Sequence, residues 1–231
     1  MQTIVDLALQ KLRPQMSVSL GGGRNVLALT EELAKQPSKN LKLYSPSELT
    51  RAYGQKLGLE ILASEQGQHF DLAFDGCDSI DYQFNCLKSK GGIHYFEKRA
   101  AQKSDEYFIL IPKTRLNETL DAQLALSLEV KLERCFEILA AAQQLGLRAE
   151  IRLGQAVASY ARTPLGNVLI DCFATDWQQI KDYNEQLLAK SGVIASSYFE
   201  GLVTGIIASE ENGQGIIFTR WWQWQRSIIG V

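Results

Sequence analysis

Residues 70–98 read FDLAFDGCDSIDYQFNCLKSKGGIHYFEK, and the order of residue types in them decides how the chain folds. The apolar run 72–74 stops at Asp75-Gly76, the pattern of a buried strand ending in a turn. Asp75 and Asp78 then stand at the carboxyl end of a sheet strand, where open α/β sheets gather their ligands. Lys88, Lys90 and the pair Gly91-Gly92 follow, and Glu97 lies a little way into a helix that runs on through Lys98. Two acids, two lysines and a glycine turn between a buried strand and a helix make this the place where chemistry is expected.

Upstream, Thr3 is placed to cap a short helix over 4–12 that stops near Pro14, and 16–20 reads as a strand. Gly21, Gly22 and Gly23 break that strand before the helical spacing of Val26, Leu29 and Leu33. A strand, a glycine turn and a helix amino terminus offer free N–H groups and a favourable dipole to an anion. The third glycine of a dinucleotide fingerprint would fall on Val26, and no Gly-Lys-Ser/Thr completes a P-loop, so a sugar phosphate suits the turn better than a nucleotide. Arg24 either supplies that phosphate with a charged, bidentate donor or sits on the helix surface, where a cation is poorly placed without an anion nearby. Residues 41–43 read as the next strand, and Ser45-Pro46-Ser47-Glu48 as a capping box with Pro46 at the first helical position.

Downstream, a strand over 106–111 leads to Arg115. A strand at 126–130, a helix over 132–145, strands at 149–153 and 167–173 and a helix over 177–190, capped by Asp176 and Gln179, follow the β-α-β-β-α-β order of a ferredoxin-like unit. Residues 201–219 alternate about an Asn212-Gly213 turn and are expected to rejoin the first part of the chain. The expected fold is α/β: a Rossmann-like open-sheet domain from 1–125 and 199–231, with a smaller ferredoxin-like α+β domain from 126–198. Trp221, Trp222 and Trp224 cannot all point to one face of an extended tail. A subunit interface, in a homodimer or homotetramer, is expected to take them, with core packing of one or two as the alternative.

With 231 residues, 45% hydrophobic and 22% charged, the chain can bury a substantial core. A formal charge of −2, interspersed in sign, leaves no basic footprint for nucleic acid. There is no apolar run of transmembrane length and no basic leader, so a cytoplasmic protein without a membrane partner is expected. Cys77, Cys86, Cys135 and Cys172 show no C-x-x-C spacing and read as free thiols. His69 and His94 do not form a metal-ligand pattern, so neither a metal nor another cofactor is expected.

Residues 75–98 resemble the signature of the ribose-5-phosphate isomerase A family. Asp75-Gly76-Cys77-Asp78-Ser79 stands where that family has D-G-A-D-E, and Lys88-Ser89-Lys90-Gly91-Gly92 where it has K-G-G-G-G. Glu97 falls, nine residues after Lys88, on the glutamate of R-E-K. Further on, 127–130 and 166–171 resemble P-L-E-V and G-N-x-I-L-D, with Ser127 in place of the proline. Gly21 to Asn25 replaces G-T-G-S-T and has lost its three hydroxyls, and Ser89 and Lys90 replace two glycines.

The resemblance implies an aldose-ketose isomerase that interconverts ribose 5-phosphate and ribulose 5-phosphate. It makes Glu97 the base at carbon, gives Lys88 and Asp75 ring opening and the oxygens, and has Asp78 orient them or shuttle the second proton. It implies substrate contacts from Gly21, Gly22, Gly23, Arg24, Asn25, Ser45, Lys90, Gly91, Gly92 and Arg115, and a small-molecule sugar phosphate as partner. The altered loops leave an alternative, a paralogue that binds another sugar or sugar phosphate without isomerase activity.

Overall fold

The computed structural model describes residues 2–36 and 39–219. Its centre is a seven-stranded sheet of β1 (Ser17–Leu20), β2 (Lys42–Ser45), β3 (Ile61–Ala63), β4 (Phe70–Asp75), β7 (Ser104–Pro112), β14 (Gly205–Ser209) and β15 (Gly215–Thr219). The strands lie in the order β15-β14-β7-β4-β1-β2-β3, and all neighbours are parallel except the β14/β15 hairpin. The chain leaves β1 toward β2 on one side and returns through β4 on the other. The order therefore reverses between β1 and β4, and their carboxyl ends frame a crevice.

Both faces of a parallel sheet must be covered, so its strands are apolar almost throughout. Val18, Leu20, Leu72, Phe74, Phe108 and Leu110 pack on one face with residues of α1 (Ile4–Lys11) and α2 (Arg24–Ala34). The intervening Ala73, Tyr107, Ile109 and Ile111 pack on the other, together with Ala101 of α4 (His94–Gln102). Full burial of each large side chain is worth about 1.5–3 kcal/mol, so a one-residue slip that turned β4 over would be costly.

A second sheet, β10 (Arg148–Ile151), β11 (Val168–Phe173), β9 (Leu126–Val130) and β12 (Val193–Ser196), is antiparallel in that order. With α5 (Cys135–Gln144) and α6 (Ile180–Leu188) it has the ferredoxin-like succession and its own core around Leu128, Ile138, Ile170 and Leu187. A third, small sheet was not legible in the sequence: β13 (Tyr198–Phe199), β6 (Cys86–Leu87), β5 (Ser79–Asp81) and β8 (Leu116–Asn117). It ties the segment after Asp75 to the end of the second sheet, and β13 straddles the expected boundary at 198/199.

Several boundaries differ from the sequence reading. Thr3 does close a capping box with Asp6. The cap of α3 (Glu48–Lys56), however, is Ser47, whose Oγ accepts from Thr50 N–H, and Ser45 lies outside the helix. Residues Leu132–Arg134 form a 3-10 turn before α5. The strand expected over 149–153 ends at Ile151, beyond which Leu153 makes only an isolated bridge to Tyr160. The last helix starts at Ile180: Asp176 is spent on a turn to Gln178 N–H, and Gln179 makes no side-chain cap. Trp177 is buried and donates its indole N–H to Leu124 O at 3.0 Å. All four cysteines are free and buried. The tryptophan-rich segment 220–231 lies outside the described residues. Among the described residues, no helix is long and apolar enough to cross a membrane.

Candidate active site

The carboxyl ends of β1 and β4 approach so closely that only glycine fits after β1. A Cβ on Gly21 would lie 2.1 Å from Asp75 Cγ. Gly21 N–H donates to Phe74 O at 2.7 Å, and Gly22 N–H to Asp75 Oδ1 at 3.0 Å. Asp75, 2% exposed, also accepts from Gly76 N–H at 2.8 Å and from the Tyr107 hydroxyl at 3.2 Å. The neighbouring parallel strand thus presents Tyr107 from below, a contact the sequence reading missed. A strand position facing the Asp75 end of β4 is its only signal, and that requires the pairing to be known.

Lys88 enters from the other side. Its Nζ lies 3.0 Å from Asp75 Oδ1 and 3.2 Å from Glu97 Oε1, with all three side chains below one-tenth exposure. It also donates to the Gly76 carbonyl. Glu97 comes from the first turn of α4, which follows the Gly91-Gly92 turn. Gly92 has φ +69°, and a Cβ there would sit 3.1 Å from Leu169 Cδ1. Burial alone would neutralise an ammonium, but Asp75 and then Glu97 outweigh it and hold the Lys88 pKa above its ordinary value. Burial pushes the Glu97 carboxyl up to about 8, opposed by Lys88 and reinforced by Asp75. One ammonium thus serves two carboxylates, and Asp75 collects three further donors while Glu97 relies on Lys88.

Lys88 and Glu97 border a cleft of about 360 Å³ lined by Gly22, Gly23, Asp78 and Arg115, among others. Gly91 lines it as well, whereas Asp75 is not among its lining residues and stands behind Lys88. Asp78 accepts from Lys90 N–H at 3.0 Å, and Arg115 donates to Cys77 O at 2.6 Å. Pro46, Ser47 and Leu49 form one side, and Pro164 reaches in from the segment between β10 and β11.

Other residues singled out from the sequence stand apart. Ser45 is fully buried and its hydroxyl is turned onto Ser47, accepting from its N–H at 3.0 Å, so Ser47 lines the cleft in its stead. Asn25 uses its amide on Leu110 O at 3.0 Å and pins α2 to β7. Arg24 is exposed at the start of α2 and is not among the cleft-lining residues. The N-cap Gly23 brings no side chain to the first turn, which also lacks an acid, so its N–H groups remain open toward the glycine loop. The Lys90 side chain is exposed, and Gly92 borders a neighbouring groove.

His94 is buried, and burial followed by the nearby Lys98 lowers its pKa to about 3, leaving it neutral. His69, which shows no metal-ligand pattern in the sequence, does have acids beside it in space: its ring lies 3.0 Å from Asp105 Oδ2, and Asp71 completes a group with ligand atoms within 4.8 Å of one another. That group sits at the amino ends of β4 and β7, away from the cleft. Asp71 Oδ2 there already accepts from Ser17 N–H and Oγ, both at 2.7 Å.

A buried carboxylate of raised pKa, an ammonium against it and a second carboxylate at the cleft wall define a proton-transfer site on a doubly wound sheet. The chain belongs to the family of ribose 5-phosphate isomerase A (phosphoriboisomerase A), whose model matches residues 42–213. It is 25% identical over 223 residues to a ribose-5-phosphate isomerase A of Trichodesmium erythraeum, covering 94% of both chains. A ribose 5-phosphate isomerase A structure from Methanocaldococcus jannaschii superposes with a TM-score of 0.86 at 20% identity, over 94% of this chain and 97% of that one. A D-ribose-5-phosphate isomerase in complex with phospho-erythronic acid gives 0.87 at 20% identity, over 95% and 100%.

Proposed function

We propose that this chain interconverts ribose 5-phosphate and ribulose 5-phosphate through an enediolate, with Glu97 as the base at carbon. The observation that carries this is Lys88 Nζ held 3.0 Å from Asp75 and 3.2 Å from Glu97 at the wall of the cleft. Ring opening falls to the Lys88–Asp75 pair. The Glu97 carboxylate then takes the proton from C2, and the charge that develops on O1 is met by Lys88. Glu97 returns the proton to C1, while the O2 proton passes to O1 by way of Asp78. Every proton is accounted for with a carboxylate, an ammonium and a shuttle, so the reaction needs neither metal nor redox cofactor. Purified protein given ribose 5-phosphate and EDTA is expected to form ketose. Folded protein that forms none above the uncatalysed rate would overturn the reading.

The phosphate is assigned to the Gly22-Gly23 turn and the open first turn of α2, with Arg24 and Arg115 as the nearby cations. A relative's complex with phospho-erythronic acid supports a phosphorylated ligand. If Arg24 swings onto the phosphate, Arg24→Ala removes a charge-assisted contact of about 1.5–3 kcal/mol, or about ten- to a hundredfold in KM. Binding shared by ground and transition states should be lost, so kcat is expected to change less than KM. Inhibition by inorganic phosphate should weaken in parallel. Unchanged KM and unchanged phosphate inhibition would take Arg24 out of the site.

We further place the enzyme in the cytoplasm as a homodimer or homotetramer, with 1–125 and 199–231 as the catalytic domain and 126–198 as the smaller one. Four unpaired cysteines support the compartment. The separate core of the second sheet supports the division, and sedimentation of the full chain reads the assembly.

A further inference from the structure

The segment that carries Lys88 has no regular structure beyond β6, yet Lys88 must stand within 3.2 Å of two carboxylates. Residues at the ends of the second sheet's strands hold it at each residue. Lys88 N–H donates to Ser197 O at 2.9 Å, and Ser197 N–H to Ser127 O at 2.8 Å. Ser89 Oγ donates to Ala125 O at 2.5 Å. Arg152, just beyond β10, reaches across the sheet and closes the arrangement. Its Nη2 donates to Ser89 O at 2.6 Å and its Nη1 to Lys90 O at 3.2 Å.

The guanidinium is itself fixed. Asp171 of β11 takes Nε at 2.7 Å and Nη2 at 2.5 Å, the two-pronged geometry that suits arginine and carboxylate. Ser127 Oγ lies 2.9 Å from Nη2 and 2.6 Å from Asp171 Oδ1. Ser89 and Ser127, two of the positions where the chain departs from the family pattern, therefore meet around this guanidinium. Nothing in the proposed reaction uses Arg152 or Asp171, and neither is among the cleft-lining residues. A partly buried pair so fully bonded, and ending on two carbonyls immediately after Lys88, is more than a surface ion pair.

We propose that Arg152, clamped by Asp171 and Ser127, is a positioning residue for the isomerisation: it fixes the Ser89 and Lys90 carbonyls and so sets where Lys88 stands between Asp75 and Glu97. The inference rests on the isomerase reading above. Arg152→Ala takes the guanidinium from both carbonyls and leaves Ser89 O only the longer contact from Ser127 Oγ at 3.2 Å. Arg152→Lys keeps a charge against Asp171 but cannot span the two oxygens. Small displacements of a reacting group cost up to about 100-fold, so kcat is expected to fall by about 10- to 100-fold in both variants, with KM within about threefold of wild type. Guanidinium or methylguanidinium at millimolar concentration should restore part of the kcat of Arg152→Ala and leave the wild type unaffected.

Thermal melting monitors folding. Should Arg152→Ala not fold, Asp171→Asn keeps the shape of the clamp while weakening it, and should lower kcat in the same direction by a smaller factor. Folded variants with kcat within twofold of wild type, or a rise in KM in place of the fall in kcat, would overturn the proposal. An inactive wild type would instead overturn the isomerase reading.

Discussion

Glu97→Gln is expected to lower turnover of ribose 5-phosphate by about 100-fold or more while leaving the protein folded. Glutamine keeps the size of the side chain and an acceptor for Lys88, so the cleft retains its shape. What disappears is the group proposed to carry a proton between C2 and C1. In heavy water the wild type should incorporate deuterium at carbon, and the variant should incorporate little. The wild-type pH profile makes the same claim independently. Burial holds the Glu97 pKa near 8, opposed by Lys88 and helped by Asp75, with Asp78 adding smaller repulsion from the cleft wall. The free enzyme is then short of its base at lower pH, and kcat/KM should rise with pH, about tenfold per unit well below 8. Carbon exchange at the wild-type rate in Glu97→Gln, or a profile flat between pH 6 and 8, would put the base elsewhere.

Much of this architecture is legible in residue order because local pattern and burial agree. The apolar run of β4 ends at Asp75-Gly76, and the three glycines end β1, so both edges of the crevice are written in neighbouring residues. The register that sets Lys88 nine residues before Glu97 is equally local. What the sequence hides depends on long-range pairing. Tyr107 meets Asp75 only because β7 lies beside β4, and Pro164 meets the cleft only because the second sheet packs there. Ser45 misled for a different reason. Two serines flank Pro46, either fits a cap on composition, and the turn bonded by Ser45 Oγ shifts the helix start to Ser47. Arg152 was silent because an arginine in a strand-edge segment has no pattern of its own. Its meaning comes from Asp171, 19 residues away, and from the carbonyls of the Lys88 segment.

Lys88→Met is expected to abolish most of the activity and to destabilise the fold in a pH-dependent way. In the proposed reaction the ammonium meets the enediolate oxygen beside Glu97, and loss of such a group costs about 100- to 1,000-fold in kcat. Methionine also leaves Asp75 and Glu97 buried at 2% and 6% exposure without their shared counter-ion. Removing one partner of a buried ion pair typically costs about 3–5 kcal/mol. The sign follows from the direction of the shifts. The folded-state pKa of Glu97 is already raised above 4.5 and should rise further once Lys88 no longer opposes burial. Between the unfolded and folded values the native state binds more protons than the unfolded chain, so stability falls as pH rises through that interval. Near pH 5 Glu97 is protonated and Asp75 retains Gly22, Gly76 and Tyr107 as donors, so the deficit against wild type should be modest. Near pH 9 the wild type can ionise Glu97 against Lys88, whereas the variant must keep it protonated or bury its charge without a counter-ion, so the deficit should be larger. Urea unfolding of both proteins at the two pH values reads the difference. An equal deficit at both would mean that Lys88 stabilises the site by packing alone and that Glu97 is not held by its charge.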